Sequence, residues 1–200
     1  MKLPQSMQNL IERLSELPSI GPRQAFRLVF YLVSSGKNTI WNLARDMDDL
    51  QKIKICERCF FVHQNQNNLC DICSDKKRRQ NIIAVVGKET DLISLENTGK
   101  FIGRYLIIGE IPKAGALEEW QKLRLQNLKN FIQKELGGKA AEIVLAFNPT
   151  RYGDWISALI TQELMPFSEK ISRLGRGLPY GGEIEFADDE TLMQAIEQRK

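Results

Sequence analysis

All four cysteines of this 200-residue chain lie in one short stretch, as two Cys-x-x-Cys pairs. The pairs are Cys56-Glu-Arg-Cys59 and Cys70-Asp-Ile-Cys73, with ten residues between the inner cysteines. Two such turns can bring four thiolates into the tetrahedral array that Zn²⁺ takes in structural sites. Because four protein ligands leave no open position for water, the spacing predicts one structural, non-catalytic zinc ion per chain.

Two alternatives stay open for these cysteines: a pair of disulfides, or four thiols that bind nothing. Disulfides need an oxidising compartment, and no feature of the sequence indicates export. The first six residues contain no apolar segment of the signal-peptide type, and no apolar run approaches the ~18 residues of a membrane span. We therefore expect a cytoplasmic protein with no membrane segment. The single histidine, His63, is interpreted as a loop residue, since a fifth ligand is not needed.

A glycine turn between two predicted helices is the second feature that could bind a ligand. Apolar residues at helical spacing predict a first helix up to Leu17, and Pro22 suits the first turn of a second helix. A helix-hairpin-helix of this kind presents backbone N–H groups that can hold a phosphate without reading bases. Gly21 in the turn, with Arg23 and Arg27 on one helix face, is therefore predicted to contact DNA. The alternative is an αα-hairpin that only packs.

Charge is unevenly distributed along the chain. Residues 1–80 hold 13 Lys/Arg against 8 Asp/Glu, whereas the whole chain carries a net charge of only +3. The basic run Lys76-Lys77-Arg78-Arg79 lies at the end of this first part. Such a run is usually a solvated linker, but beside the cysteine pairs it can extend a phosphate-binding surface. We include all four residues among the predicted DNA contacts.

From residue 82 onwards the pattern changes to alternating strands and helices. Apolar runs predict strands at 82–86, 105–108, 143–147 and 171–174, and helices at 90–97, 118–136 and 153–164. This alternation predicts a mostly parallel sheet covered on both faces. The long helix is expected to bury Trp120, Leu123, Leu128 and Ile132 on one side. A short strand at 183–186 and a last helix are predicted in the tail at 175–200.

The sequence therefore predicts a multi-part α+β protein. We expect a helix-hairpin-helix domain at 1–54, a four-cysteine zinc module at 55–80 and an α/β domain at 81–174. Residues 175–200 are expected to form a strand-helix tail that packs on the α/β domain or on a neighbouring subunit.

The order of these parts resembles the RecR family of bacterial recombination mediators over nearly the whole chain. The stretches that carry the resemblance are Leu17–Arg23, the four cysteines with Ile72 and Ser74, Thr98–Phe101, Asn148–Thr150 and Gly177–Glu183. Each stretch is short, and their common order and spacing make the resemblance specific.

This resemblance implies that the α/β part is a Toprim domain and that the chain forms a dimer or a tetrameric ring around DNA. It also implies action with the partner RecO, and in some bacteria RecF, to load RecA on single strands covered by SSB. Arg23 and Arg27 match basic positions of the family, and the four cysteines match its zinc ligands. Single- and double-stranded DNA are then expected to bind without sequence preference.

A catalytic Toprim site needs a glutamate and an acidic pair that hold Mg²⁺, and this chain departs from that pattern. Gly87 stands where the glutamate is expected, and Asn148-Pro149-Thr150 stands where the acidic pair is expected. Asp91 lies nearby and is the one residue assigned to partner contact. The segment 109–115 looks shorter than the corresponding loop of the family.

Three interpretations of function follow. The first is a DNA-binding recombination mediator without catalytic activity. The second is a Mg²⁺-dependent nuclease or primase of the Toprim kind, and the third is a zinc protein that only bridges protein partners. ATP hydrolysis is not expected, since the sequence contains no Gly-x-x-x-x-Gly-Lys-[Ser/Thr] loop.

Overall fold

The computed structural model describes residues 2–112, 116–175, 177–197 and 199. The chain divides into two compact units, Met1–Ile53 and Lys54–Lys200.

The first unit consists of helices. They are α1 (Gln5–Ser15), α2 (Pro22–Ser34) and α3 (Lys37–Asp49), followed by a 3₁₀ turn at Leu50–Lys52. Pro22 occupies the first turn of α2, as predicted, because its missing N–H would have no partner there in any case. Gly36 separates α2 from α3 with a φ of +89°, which glycine adopts without steric cost. Ala25 and Val29 of α2 are the two fully buried apolar residues of this unit.

The second unit begins with a small two-stranded sheet and the four cysteines, and it continues into a larger sheet. The elements are β1 (Lys54–Ile55), β2 (Val62–His63), α4 (Asp71–Ser74), β3 (Ile82–Val86), α5 (Glu89–Asn97), β4 (Arg104–Ile107), α6 (Glu119–Glu135), β5 (Glu142–Ala146), α7 (Arg151–Leu164), β6 (Ile171–Arg173) and α8 (Asp189–Glu197). Strands β3 to β6 form one sheet in the order β4-β3-β5-β6, and all its pairs are parallel. The predicted parallel α/β sheet is thus confirmed, with strand ends within one residue of those expected.

One face of this sheet carries the larger apolar core. Since side chains alternate along a strand, Ile83 and Val85 of β3 point to this face. Helices α6 and α7 cover it through residues such as Leu125, Ile132 and Ile160, all of which are at most 2% exposed. A fully buried Leu or Ile side chain contributes about 1.5–3 kcal/mol, so this face stabilises the unit strongly.

The opposite face of the sheet is covered by α5 and by the four cysteines. Ala84 and Val86, the alternate residues of β3, pack in one cluster with Leu92 of α5 and with all four cysteines. The cysteine module therefore takes the place that a crossover helix has in other α/β sheets. A metal bound there would stabilise the packing of this face as well as the module itself.

Two expectations about the segments after residue 117 were wrong. Residues 184–186 form a 3₁₀ turn instead of the predicted strand, and the helix after them, α8, forms as expected. Helix α6 buries Gln121, Leu125, Leu128 and Ile132, whereas Trp120 and Leu123 are 40% and 65% exposed. The buried residues of α6 recur at spacings of four, three and four, and Gln121 accepts from the backbone N–H of Glu118 at the start of the helix.

In the part of the chain that the structure describes, no helix has the length and apolar character needed to cross a membrane.

Candidate metal centre and nucleic-acid surface

The four cysteine sulfurs lie together in the second unit. Their ligand atoms are all within 4.8 Å of one another, and the residues are 0–4% exposed. In a tetrahedral site with Zn–S bonds of about 2.3 Å, the sulfurs would be about 3.8 Å apart. The predicted grouping of Cys56, Cys59, Cys70 and Cys73 is therefore present and has the dimensions of a tetrathiolate metal centre. Its composition of soft sulfur ligands fits Zn²⁺.

The spacing of the sulfurs excludes one of the alternatives stated above. The Sγ atoms of Cys59 and Cys70 are 3.4 Å apart, whereas a disulfide bond measures about 2.05 Å. All four cysteines are free thiols in the structure. Contact with the Cys56 sulfur raises the pKa of both Cys59 and Cys73. Four thiolates can share this buried volume only with a cation among them.

The backbone around the first pair folds into a tight turn that holds its sulfurs in place. The N–H of Phe60 donates to the carbonyl of Cys56 at 3.0 Å, and Phe60 adopts a φ of +65°. This left-handed conformation is uncommon for an aromatic residue and directs the next amide, that of Phe61, at the Cys59 sulfur 3.4 Å away. An amide aimed at sulfur stabilises the thiolate form, as a metal ligand requires.

The second pair belongs to the one-turn helix α4. Cys70 precedes the helix, and its carbonyl accepts from the N–H of Ser74 at 3.0 Å. Cys73 lies inside the turn. His63 is not a loop residue, contrary to the expectation above, because it belongs to β2 and is only 8% exposed. Its Nδ1 accepts from the N–H of Asn65 at 3.2 Å.

The cysteine module is hydrogen-bonded to the edge of the large sheet. The backbone N–H of Ile107 in β4 donates to the carbonyl of Cys59 at 3.0 Å. Further along, the N–H of Arg79 donates to the carbonyl of Ile102 at 2.9 Å. These two bonds join the cysteine module to β4 and to the segment before it, so the module is part of the second unit.

The basic run after the second cysteine pair is not uniform. Lys76, Lys77 and Arg79 are exposed, in agreement with a role at the surface. The side chain of Arg78 is only 10% exposed and forms an ion pair with Glu96. It also donates to the carbonyl of Gly103 at 3.0 Å. Arg78 is thus occupied inside the domain, which leaves three of the four residues free to meet a phosphate.

The hairpin of the first unit exposes the start of α2. Gly21 precedes the helix in extended conformation, and no side chain caps this helix end. Arg23 and Arg27 are both exposed, and they border an open groove of about 440 Å³ together with Pro22 and Phe26. The helix N-terminus and two cationic side chains therefore face the same surface, which is the arrangement expected for phosphate contact.

A cavity of about 510 Å³ lies at the carboxyl ends of β3 and β5, where ligands commonly bind in open parallel sheets. Gly87, Asp91, Asn148 and Thr150 line it, so it coincides with the expected Toprim site. A carboxylate oxygen of Asp91 accepts from the N–H of Lys88 at 3.2 Å, and the Thr150 hydroxyl accepts from the N–H of Gly153 at 3.1 Å. Both side chains therefore cap the helices that begin here.

Glu110 also lines the cavity, and a further carboxylate, that of Asp154, lies one residue from its lining. Asp154 forms an ion pair with Arg173 at 2.9 Å. Among the described residues, the four cysteines form the one group of three or more potential ligands close enough to share a metal ion. Residues 113–115 of the loop predicted to be short lie outside the described residues.

Sequence reasoning missed Arg104, the first residue of β4. The strand predicted from the sequence begins at Tyr105, whereas β4 begins at Arg104. Arg104 is 4% exposed.

Comparison with known proteins shows similarity to RecR proteins over nearly the whole chain. The model of the RecR helix-hairpin-helix matches residues 7–50, and the model of the RecR C-terminal part matches residues 177–200. A protein of Syntrophomonas wolfei named Recombination protein RecR is 37% identical, over 100% of this chain and 99% of its own. Proteins of the same name from Dehalococcoides mccartyi and Roseiflexus castenholzii are 35% and 34% identical, over 98% and 99% of this chain and 94% and 95% of their own.

Proposed function

The chain belongs to the RecR family of recombination proteins, and from this premise we propose that it is a DNA-binding mediator of recombinational repair without catalytic activity of its own. The observation that carries the proposal is the exposed N-terminus of α2 with Arg23 and Arg27, inside the segment that matches the RecR helix-hairpin-helix. A helix end and two arginines bind phosphate oxygens, which every nucleic-acid sequence offers.

DNA is accordingly bound through its backbone, single- or double-stranded, with little sequence preference. Lys76, Lys77 and Arg79 provide a second exposed set of cations for phosphate. Arg78 has no part in this contact, since its guanidinium pairs with Glu96.

The metal of the proposed protein is zinc, one ion per chain, with a structural role. Support comes from the four buried sulfurs, whose separations suit tetrahedral coordination. When bound, the ion holds the cysteine module on the sheet, and all four of its positions are taken by protein ligands.

The Toprim-like domain serves as a scaffold. Gly87 and Asn148 provide no carboxylate in the cavity where a catalytic Toprim site would hold Mg²⁺, and Asp91 caps α5. Incubating the protein with DNA and Mg²⁺ or Mn²⁺ tests this point, and cleavage or primer synthesis that is abolished in Asp91→Asn would contradict it.

We further propose that the protein acts in the cytoplasm as a homo-oligomer, a dimer or a tetrameric ring that clamps DNA. RecO, with RecF in some settings, is the proposed partner for loading RecA on strands covered by SSB. Asp91, at the rim of the cavity, is the proposed partner contact.

The deciding experiment measures DNA binding with and without the cognate RecO, on protein whose molar mass in solution is known. A mediator is expected to bind DNA in a salt-sensitive manner, as an oligomer, and to form a ternary complex with RecO. Binding of RecO with no salt-sensitive DNA binding under any condition would favour a zinc-containing adaptor instead.

A further inference from the structure

Two aromatic side chains at the start of α7 are exposed. Tyr152 and Trp155 are each 37% exposed, whereas Ile156 and Ile160 of the same helix are buried in the core on one face of the sheet. The two aromatic residues are three positions apart and are therefore neighbours on the helix surface. Their rings are stacked, with centroids 5.8 Å apart and an angle of 19° between the planes. Tyr and Trp are enriched where proteins meet a partner, so the pair indicates a contact surface.

The charges next to this aromatic pair favour a nucleic acid as the partner. Arg151, the residue before Tyr152, is exposed, and so is Lys88, which lines the adjoining cavity. Asp154 in the same turn of α7 is paired with Arg173 at 2.9 Å, so its negative charge is compensated. Exposed cations beside stacked rings are the combination that binds single strands, because phosphates need cations and bases need flat apolar surfaces.

The aromatic pair also adjoins the cavity of about 510 Å³ at the carboxyl ends of β3 and β5. Tyr152 lines this cavity together with Phe147, and the carboxylates of Asp91 and Glu110 belong to residues of the same lining. Carboxylates repel a phosphate, but they accept hydrogen bonds from the amino groups of bases. The cavity therefore suits a base, whereas the phosphate next to that base is better held by the exposed Arg151.

We propose that Tyr152 and Trp155 form a stacking platform for the bases of single-stranded DNA, with Arg151 as the contact for the neighbouring phosphate. The inference rests on the proposed DNA binding, and it adds a site in the second unit to the hairpin of the first unit.

The platform and the hairpin recognise different parts of DNA. The hairpin binds phosphates, which single and double strands both offer. The platform needs free base faces, which a duplex covers by stacking its bases on one another. The platform therefore selects single strands, whereas the hairpin does not.

An apolar surface of another protein, a second copy of this chain included, is the competing occupant. Such a contact would cover the two rings, but it would also bring Arg151 and Lys88 close to an apolar interface. The cores of protein–protein interfaces are depleted of charged residues, and of lysine in particular. The two exposed cations therefore favour a polyanion that carries flat rings.

The test measures two affinities of the full-length protein by fluorescence anisotropy, one for an unstructured single strand and one for the duplex that this strand forms with its complement. Tyr152→Ala with Trp155→Ala removes both rings, whereas Tyr152→Phe with Trp155→Phe keeps an aromatic ring at each position. Tyr31→Ala with Trp41→Ala is the matched control, because it removes two exposed rings of the same types from the first unit.

The alanine pair at 152 and 155 is expected to lower single-strand affinity about 5–100-fold and to leave duplex affinity unchanged. The phenylalanine pair is expected to recover most of the loss, and the control to leave the ratio of the two affinities as it is. An unchanged ratio in the alanine pair would overturn the proposal. Equal losses for both forms of DNA, together with a lower molar mass in solution, would also overturn it, since the rings would then join subunits.

The same titrations separate this inference from the proposed function. A wild-type protein that binds neither form of DNA would contradict the proposed DNA binding, and the platform with it. Duplex binding by the wild-type protein with an unchanged ratio in the alanine pair would contradict the platform alone.

If the alanine pair does not fold, two further measurements still decide. The wild-type protein is expected to bind a strand with abasic sites less tightly than the normal strand, because the phosphates remain and the base faces are lost. In a Trp41→Phe and Trp120→Phe protein, whose one remaining tryptophan is Trp155, fluorescence is expected to fall when the single strand binds and to stay constant with the duplex. Equal affinity for the two strands, or Trp155 fluorescence that ignores the single strand, would refute the proposal.

Discussion

At the residue scale, each cysteine is both a potential metal ligand and part of the buried cluster on one face of the sheet. The four thiols occupy the space on the sheet that apolar side chains would otherwise fill, beside Ala84, Val86 and Leu92. Removing a sulfur therefore costs a ligand and a packing contact at the same time. Since metal binding is linked to folding in such modules, the loss extends beyond the site.

Cys59→Ala is expected to abolish zinc binding and to destabilise the second unit. Zinc contributes on the order of 10 kcal/mol to the folding of isolated zinc-finger peptides, and the sheet contacts of this module reduce the loss here. The measurements are zinc content by mass spectrometry and thermal unfolding. His63→Gln is the control, because His63 lies between the cysteine pairs but is not one of the proposed ligands. The His63→Gln protein is expected to bind one zinc ion per chain. Stable Cys59→Ala protein with one zinc per chain would contradict the assignment.

Arg78 differs from its neighbours in the basic run, and the difference can be measured. Arg78→Met breaks the contacts to Glu96 and Gly103 and is expected to lower the free energy of unfolding by about 2 kcal/mol in urea titrations. Its effect on DNA affinity is expected to be small. Replacing Lys76 and Lys77 by alanine is expected to lower DNA affinity and to leave the free energy of unfolding nearly unchanged. Reduced DNA affinity at unchanged stability in Arg78→Met would show that Arg78 contacts DNA after all.

The grouping of the four cysteines could be predicted from the sequence because Cys-x-x-Cys is a local pattern. The contacts of Arg78 and Arg104 could not be predicted, because the residues that they meet are distant in the sequence. Arg78 meets Glu96 18 residues away, and Arg104 meets Phe131 of a different helix. Whether a basic residue faces solvent or a carboxylate depends on the fold, which the basic run alone does not encode.

At the scale of elements, the strands of the parallel sheet were the most predictable part. A strand buried on both faces has a continuous apolar run, and 82–86 coincides with β3. The stretch Glu183-Ile-Glu-Phe186 alternates in the same way as a half-buried strand, yet it forms a 3₁₀ turn, since the sheet ends at β6 in the described structure. Alternation shows a preference, and a strand also needs an edge to pair with.

The edge strand β6 is expected to loosen in acid. The Ser172 hydroxyl donates to the Glu142 carboxylate at 2.7 Å and is the largest cause that lowers the pKa of Glu142. Lys170 is the second cause and lowers this pKa further. A depressed pKa in the folded state means that the stabilisation is present above the unfolded value of about 4.3 and is lost as the pH falls below it. Hydrogen exchange of the β6 amides at decreasing pH measures the effect. Ser172→Ala is expected to weaken this pH dependence, and an identical profile in both proteins would refute its origin.

The hairpin is the element that the DNA-binding proposal depends on most. Arg23→Ala together with Arg27→Ala is expected to weaken binding by a similar factor for unrelated sequences, because phosphate contacts are common to all. Fluorescence anisotropy with several oligonucleotides provides the measurement. Lys37→Ala with Arg45→Ala removes two exposed charges from α3 of the same unit and serves as the matched control. Equal effects of the two double variants would show that only net charge matters and that the hairpin has no special role.

For the whole molecule, the question is how the proposed DNA binding arises in a chain with a net charge of only +3. A homo-oligomer multiplies the exposed cations that one DNA molecule can meet, and each phosphate neutralised contributes about −0.9 to the slope of log affinity against log salt. We expect a steeper slope at protein concentrations where the oligomer forms than at those where single chains prevail. Anisotropy titrations over a salt series, each paired with the molar mass from sedimentation, test this expectation. The Arg23→Ala and Arg27→Ala double variant should flatten the slope more in the oligomer, because every subunit then loses two contacts. The same slope for single chains and oligomer would mean that one subunit makes all the DNA contacts, and the proposed clamp would then be wrong.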